Sequence, residues 1–526
     1  MLLSEIIRKA TKIAPEKPAV ICGDETLTYN QLVARMDFWA QKLMALGITR
    51  GERAGLLMHN SLDFVQFYFA CFRIGAIAVP FNNRYERPEL IYALNQSGSR
   101  ILIAGQEFSA LVMDINKSAP DLTGVYVMDN SLQEIFAKTA ARAEATEIVE
   151  LSEADINDPA VIIYTSGSTG KPKGVIHTHS TLYHHILNKT NSLELSQDEV
   201  GLAGTQICHC AGLLGILLPV LANGGTCVLL GEFEPGAYIE HLKKFKPTIL
   251  VLMPTQLLEV LEHPNSKDAD FSRTHSMLIG GDKVPHHVYE LFRAQAGFDL
   301  SEGCGMTECE GYCVQPQHEP KKPGSIGKPI AGVKVRLADA SGQKLPDNQT
   351  GEIQLQAQSL TVGYWNKPEE TSKAFINGWF RTGDLAFRDE DGYYHFAGRI
   401  KEIIIRGGSN IMPGAVEDVL DDHPQVELSG VVGFADAHYG SIVGAFIMPK
   451  DPAHPPTPEE LRKFAAARLA QYEIPEKWIF VDHLPENATG KIDRQKLHIL
   501  AAQYTEEAKK RLRVKVHPKS LKRIEK

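Results

Sequence analysis

Thr165-Ser166-Gly167-Ser168-Thr169-Gly170-Lys171-Pro172-Lys173-Gly174 gathers hydroxyls, glycines and lysines directly after the apolar run Val161-Ile162-Ile163-Tyr164. The run reads as a buried strand. A strand that empties into such a loop makes a phosphate cradle. Glycines let backbone N–H groups approach an anion, hydroxyls donate, and a lysine neutralises charge. The stretch therefore points to a nucleotide triphosphate. It is not the common P-loop, G-x-x-x-x-G-K-[ST] opening a helix. Thr165 stands where the first glycine is required, and Pro172 follows Lys171 where the magnesium-holding hydroxyl would be. Ile176-His177-Thr178 then reads as a further strand, not as the first turn of a helix.

Outward from this loop, residues 1 to about 400 alternate apolar runs with helical patterns. Ala54–Met58, Ala76–Pro80, Ile101–Ala104, Cys227–Leu230, Ile249–Leu252 and Met277–Ile279 read as strands, and Phe64–Ile74 as a buried helix ended by Gly75. Strands separated by helices of this length imply mainly parallel, helix-covered sheets. From Gly324 the texture becomes strand-rich, with Val333–Leu337 and Gly351–Leu355. A boundary is expected at Gly398-Arg399. It divides the chain into a large domain, 1–398, and a small α/β domain, 399–526, with Ile403–Ile405 and Gly430–Gly433 as strands and Val416–Leu420 as a helix. No internal repeat is present.

The chain has 526 residues, too many for one compact core. Its formal net charge of −9 argues against general nucleic-acid binding. The stretch Lys509–Lys526 is the basic exception; it reads as a solvated tail or as a contact for an anionic membrane or an acidic partner. Met1–Pro18 has an amphipathic pattern without the long apolar core of a signal peptide. Ala211–Ala222, the most apolar stretch, is too short to span a bilayer and contains Pro219. Eight cysteines form no C-x-x-C pair, which suits reduced thiols and a cytoplasmic location. Cys208-His209-Cys210 has the wrong spacing for a zinc knuckle.

Further segments follow the loop in a set order: Cys208-His209-Cys210-Ala211-Gly212, Cys304-Gly305-Met306-Thr307-Glu308, Phe380-Arg381-Thr382-Gly383-Asp384, Gly398-Arg399-Ile400-Lys401-Glu402 and Ala488-Thr489-Gly490-Lys491-Ile492. With the loop, this ordered set resembles the adenylate-forming superfamily of acyl-CoA synthetases, stand-alone adenylation domains and luciferase-like enzymes. Among these it is most like a fatty acid–CoA ligase. The resemblance runs from about Thr28 to Arg494. It implies ATP, Mg2+ and CoA as reactants and cofactors. A carboxylate would attack the α-phosphate of ATP, expelling pyrophosphate, and a thiol would then displace AMP. The negative charge gathered in both transition states calls for fixed cations and N–H donors.

By resemblance, Thr165, Ser166, Gly167, Ser168, Thr169, Gly170 and Lys173 wrap the β- and γ-phosphates. Thr307 donates to the α-phosphate and Glu308 holds magnesium, which takes few protein oxygens and keeps waters. Gly281, Asp282, Lys283, Cys304 and Gly305 belong to the ATP site, with Cys304 at the adenine-stacking position and Asp282 either meeting the adenine amino group or facing water. Asp384 binds the ribose, its two oxygens matching vicinal hydroxyls, and Arg399 stands near ribose and phosphates. Lys491 carries its ammonium to the attacking carboxylate and the α-phosphate. Lys401 matches the hinge about which the small domain turns, and Gly407 and Gly408 let pantetheine approach. His209 walls the acyl pocket and gates access to the reacting carbonyl. Two departures stand out. Cys304 occupies the place where relatives carry an aromatic ring for adenine, and Asp282 follows the glycines where a small residue is usual. With Cys309 and Cys313 beside it, Cys304 makes the edge of the site a target for thiol reagents.

Leu213-Leu214-Gly215-Ile216, Leu278-Ile279-Gly280 and Gly303–Cys313 are expected to wall the acyl pocket. They are mainly apolar or small, and no Asp stands ready to select an amino group. This favours a fatty or aryl acid. Lys283 or His209 could instead pair with the second carboxylate of a dicarboxylic acid. The leading expectation is a fatty acid–CoA ligase. The alternative is an acyl-AMP ligase that loads the phosphopantetheine of a carrier protein.

Overall fold

The structure is a computed structural model that describes residues 1–128, 154–165, 171–282, 284–486 and 492–515. They fall into two compact units. The first takes in Met1–Arg336, Gln354–Thr382 and Asp389–His395; the second takes in Leu337–Ile353, Gly383–Arg388 and Phe396–Lys526.

In the first unit, the apolar runs become two sheets. One has the strand order Lys328–Pro329, Cys309–Val314, Ser301–Met306, Ser276–Gly280, Ile249–Leu252, Val200–Ala203, Thr226–Leu229, Pro18–Cys22, Glu25–Thr28. Its central strands run parallel, and antiparallel strands close both edges. The other is ordered Gly363–Tyr364, Lys173–Thr178, Pro159–Thr165, Ile77–Pro80, Arg53–Leu57, Ile101–Gly105, Gly124–Met128, parallel from Pro159–Thr165 onward. Successive side chains of a strand point to opposite faces. Thus Val251 and Leu278 join one core, while Leu250, Leu252, Met277 and Ile279 join another. Likewise Ala54, Leu56, Val161 and Ile163 face the core that Val251 faces, and Leu57, Ile162 and Tyr164 face away from it. That shared core holds the helix Leu62–Ile74, apolar on nearly every side. Its Ser61 hydroxyl caps Phe64 N, and Gly75, at φ 67°, ends it. The strand-rich texture after Gly324 is realised as Val333–Ala338, Gly351–Ala357 and Trp379–Arg388.

The second unit centres on a sheet ordered Ser409–Ile411, Ile404–Arg406, Gly440–Pro449, Val426–Asp436, with Lys477–Phe480 pairing to Gly440–Pro449. Val431, Val443, Ala445 and Ile447 face the helices Pro413–Asp421 and Pro458–Ala466. Val432, Phe434, Ile442 and Phe446 face Leu497 and Ala501 of the helix Arg494–Lys515. The expected strands and helix of this region are all present. Ala211–Ala222 is helical throughout its length: a π-helical segment, Leu213–Leu217, precedes Leu218–Ala222, and Pro219 lies within this continuous helical run. Among the described residues no helix is long and apolar enough to cross a membrane.

Candidate active site

The glycine- and hydroxyl-rich stretch connects the two strands of a β-hairpin. Strand Pro159–Thr165 pairs antiparallel with Lys173–Thr178, and Thr165 faces Lys173 where that stretch departs. Ser166–Gly170 lie outside the described residues. The lysines beyond them rest on tyrosine rings: Lys171 Nζ lies 5.6 Å from the centroid of Tyr92, and Lys173 Nζ 5.1 Å from that of Tyr364. A cation over such a face is held without losing its charge.

Thr307 and Glu308 form the tip of a second hairpin. Strand Ser301–Met306 pairs with Cys309–Val314, Met306 facing Cys309, so the two residues between them make the turn. Glycines allow the close packing behind this tip. A Cβ on Gly280 would lie 2.3 Å from Gly303 O, and one on Gly305 2.3 Å from Gly311 N. Either contact is far inside van der Waals range.

The two hairpins meet through Thr361–Trp365. Thr361 N donates to Glu308 O at 2.8 Å, and its hydroxyl donates to Ile176 O at 2.7 Å. Trp365 N donates to Gly174 O at 2.8 Å. Tyr364 then donates its hydroxyl to Glu308 Oε1 at 2.7 Å. Burial, and next the Glu308 carboxylate, push the Tyr364 phenol well above its ordinary range, so it stays a donor. One ring thus positions both a carboxylate and, on its face, the Lys173 ammonium. On the other side His177 Nε2 lies 2.8 Å from Thr307 O. Burial lowers the His177 pKa to about 4, so the ring is neutral. Because a carbonyl only accepts, Nε2 carries the hydrogen. The Thr307 hydroxyl donates to Cys210 Sγ at 3.5 Å.

His209 is half-buried and directly precedes Cys210–Gly212. Asn60, fully inside, fixes the approach to it: Oδ1 accepts from Ile207 N at 2.7 Å, and Nδ2 donates to Thr205 O and Leu230 O. Cys304 is half-buried, its Sγ 2.9 Å from the Tyr312 hydroxyl. Cys309 and Cys313 are fully buried, and burial drives their thiols upward, to about 12 for Cys309. The expectation of three reagent-accessible cysteines therefore reduces to Cys304, because a buried thiol kept protonated is a poor nucleophile. Gly281, at φ 88°, and Asp282 are exposed at the end of strand Ser276–Gly280, and Lys283 lies outside the described residues.

The second unit groups other candidates. Asp384 is buried and its Oδ1 accepts from Arg399 Nε at 3.0 Å. Lys401 is exposed in the 3-10 turn Ile400–Glu402. Gly407 and Gly408, at φ 56° and 89°, form the two-residue turn between Ile404–Arg406 and Ser409–Ile411. A hairpin turn with both central residues at positive φ asks for glycine on conformational grounds alone. Lys491 lies outside the described residues. Close after it in sequence, Arg494 clamps Glu417 with two bonds of 2.8 and 2.7 Å and reaches Glu402 at 3.0 Å.

Sequence reasoning passed over Tyr364, His177 and Arg494. Tyr364 had no usable signal: a two-residue edge strand carries no periodicity. His177, two residues after Val175 in a short strand, could have been found as an inward-facing polar residue.

The pattern of the AMP-binding enzyme family matches residues 7–365, and that of the AMP-binding enzyme C-terminal domain matches 415–491. The chain is 34% identical to a feruloyl-CoA synthase of Amycolatopsis sp over 92% of this chain and 96% of that protein. It is 30% identical to the long-chain-fatty-acid–CoA ligase FadD13 of Mycobacterium tuberculosis, over 93% and 96%. The crystal structure of the anthranilate CoA ligase AuaEII with anthranoyl-AMP superposes with a TM-score of 0.87 at 29% identity, covering 95% of this chain and 97% of that one.

Proposed function

The chain belongs to the AMP-binding enzyme family, and from that premise we propose that it activates an apolar fatty or aryl acid to its acyl-adenylate and passes the acyl group to CoA. It is an acid–thiol ligase of the AMP-forming kind, working with ATP, Mg2+ and CoA. The observation that carries the reading of the site is the Tyr364 ring, which brings the Glu308 carboxylate and the Lys173 ammonium together beside the hydroxyl-rich loop.

In this reading Lys173 and the loop bind the outer phosphates, and the Thr307 hydroxyl donates to the α-phosphate. Glu308 fits magnesium: it is one hard carboxylate, fixed in orientation by Tyr364, with ATP oxygens and water to complete the shell. When bound, the ion neutralises charge on the departing pyrophosphate. Asp384, oriented by Arg399, takes the ribose hydroxyls, and Lys491 neutralises charge where the carboxylate attacks. Residues 399–526 act as a separate domain hinged at Lys401, and Gly407 and Gly408 serve the pantetheine. His209 walls the acyl pocket and gates access to the reacting carbonyl. Gly281, Asp282, Lys283, Cys304 and Gly305 belong to the ATP site.

The test is to incubate purified protein with ATP, magnesium and a graded panel of fatty and aryl acids, with and without CoA. AMP release and acyl-CoA mass are the readouts. CoA-dependent acyl-CoA from at least one class of acid is expected. Adenylate without acyl-CoA would transfer the acceptor role to a carrier protein.

A further inference from the structure

The strand Lys173–Thr178 turns Val175 and His177 to one face, and its antiparallel register sets His177 opposite Val161 of the core. His177 is 1% exposed. An apolar residue is the ordinary choice beside Val161, and an imidazole there has to surrender its water. Both ring nitrogens are engaged instead. Nε2 donates to Thr307 O at 2.8 Å, and Nδ1 lies 3.2 Å from Thr181 Oγ1. Thr181 belongs to the first turn of the helix His179–Leu193, where it and Thr178 cap each other. Thr178 N donates to Thr181 Oγ1 at 2.9 Å, and Thr181 N to Thr178 Oγ1 at 3.1 Å. A neutral ring with its hydrogen on Nε2 leaves Nδ1 an acceptor, and the Thr181 hydroxyl is the donor within reach. The helix cap thus orients the ring, and the ring addresses Thr307.

From this one strand the tip of the hairpin Ser301–Val314 is held at two successive carbonyls. Thr307 O takes the His177 bond directly. Glu308 O accepts from Thr361 N at 2.8 Å, while the Thr361 hydroxyl and Val362 N donate to Ile176 O at 2.7 and 3.3 Å. Ile176 and His177, neighbours in the strand, therefore anchor the neighbours Thr307 and Glu308 at the tip. A peptide unit is planar, so fixing the Thr307 carbonyl also fixes the plane that runs into Glu308 N. That plane limits the directions open to the Thr307 hydroxyl and the Glu308 carboxylate. Thr307 is only half-buried, so water could satisfy its carbonyl in place of His177. What the imidazole adds is a fixed direction.

The following rests on the ligase reading, in which the Thr307 hydroxyl donates to the α-phosphate and Glu308 holds magnesium. We propose that His177 is a positioning residue for adenylation: its Nε2 hydrogen bond to Thr307 O locks the Thr307–Glu308 peptide to the strand that leaves the glycine- and hydroxyl-rich stretch. The groups that meet the outer phosphates and the α-phosphate then keep one spacing through the reaction. Shut off from solvent, His177 acts through Thr307 and not on ATP. Its effect belongs to the rate of the step more than to ATP affinity. With the donor slightly displaced, ATP still binds through its outer phosphates, but the transition state is met poorly. Burial keeps the ring uncharged at neutral pH, so the bond to Thr307 O does not depend on a counter-charge beside it.

The experiment uses the full chain and the variants His177→Leu, His177→Gln and His177→Asn. A single-turnover assay with ATP, magnesium and the best acid of the panel, without CoA, gives the adenylation rate constant. Calorimetric titration with ATP and magnesium, without acid, gives Kd, and thermal melting reports the fold. A glutamine amide nitrogen stands as many bonds from Cβ as His Nε2, an asparagine one only as many as Nδ1. His177→Leu and His177→Asn are therefore expected to adenylate at least about tenfold more slowly, with Kd for ATP within about threefold of the wild type. His177→Gln should keep the rate constant within about threefold of the wild type. A purely structural role would instead make the rate follow melting temperature through all three. A rate that does so, equal rates for the Gln and Asn variants, or an undiminished rate in His177→Leu overturns this inference and leaves the ligase reading standing. The Gln and Asn variants decide the matter even where His177→Leu does not fold. No adenylate from the wild type with any acid overturns the ligase reading, and this inference with it.

Discussion

Tyr364 serves the candidate site at two points, because a single phenol orients Glu308 and supports Lys173. Tyr364→Phe keeps the ring and the cation contact and removes one hydrogen bond to a carboxylate, an interaction of about 1.5–3 kcal/mol. The expected result is a kcat/KM lowered about tenfold or more and a raised magnesium requirement, read by titrating Mg2+ in the AMP-release assay. Unchanged Mg2+ dependence would separate Glu308 from the metal. Glu302 offers a pH test. Burial raises its pKa from the ordinary 4.5 to about 7, opposed by the Tyr289 hydroxyl and Gly324 N. A raised carboxylate is stabilising while protonated. In the unfolded chain it ionises from about pH 4.5, in the native state only near 7, so its contribution is lost as pH rises through that window. Glu302→Gln still accepts both bonds and carries no charge. Its melting temperature should gain on the wild type between pH 4 and pH 8, by an amount equivalent to roughly 3 kcal/mol at most. A pH-independent difference would contradict this. His177 has the opposite sign: its depressed pKa of about 4 means stability present above the ordinary 6.5 and lost as pH falls toward 4.

At the scale of elements, the hairpins were legible to different degrees. Val161–Tyr164 announced itself by apolar content and Ile176–Thr178 read as a short strand, and the strands Pro159–Thr165 and Lys173–Thr178 contain them. The hairpin Ser301–Val314 did not, because glycine, cysteine and glutamate have no β-pattern; its neighbours in the sheet impose it. Its register depends on close approach at Gly305. Gly305→Ala places a methyl against the Gly311 backbone, and overpacking of this kind costs about 1–3 kcal/mol. Both a lower melting temperature and a larger proportional loss of adenylation are expected, the second because the tip carries Thr307 and Glu308. Activity lost no faster than stability would mean the tip tolerates displacement.

For the whole molecule, the chemistry divides into two half-reactions, which gives Lys491 its sharpest test. Lys491→Ala should abolish most acyl-adenylate formation yet retain transfer to CoA from supplied acyl-adenylate, both followed by acyl-CoA mass. Adenylation left intact would overturn the proposed role. Arg494 tests the second unit by itself. It satisfies the buried Glu417 carboxylate with two bonds while that carboxylate accepts from Val431 N. Arg494→Ala leaves a buried charge alone, at a cost of about 3–5 kcal/mol, and thermal melting of the full chain should show it.

The local chemistry of the chain was written in its residue order. Apolar runs separated by helical patterns dictated helix-covered parallel sheets, since a strand buried on both faces must be apolar throughout. The spaced motifs around Thr165, Thr307, Asp384 and Lys491 marked the family. Tertiary structure alone decided which distant side chains serve them. Tyr364 reaches Glu308 from 56 positions away, and His177 reaches Thr307 from 130. Periodicity reports only which face of an element is buried. Which polar atom meets another inside depends on strand order and register, and those are set by the packing of the whole unit.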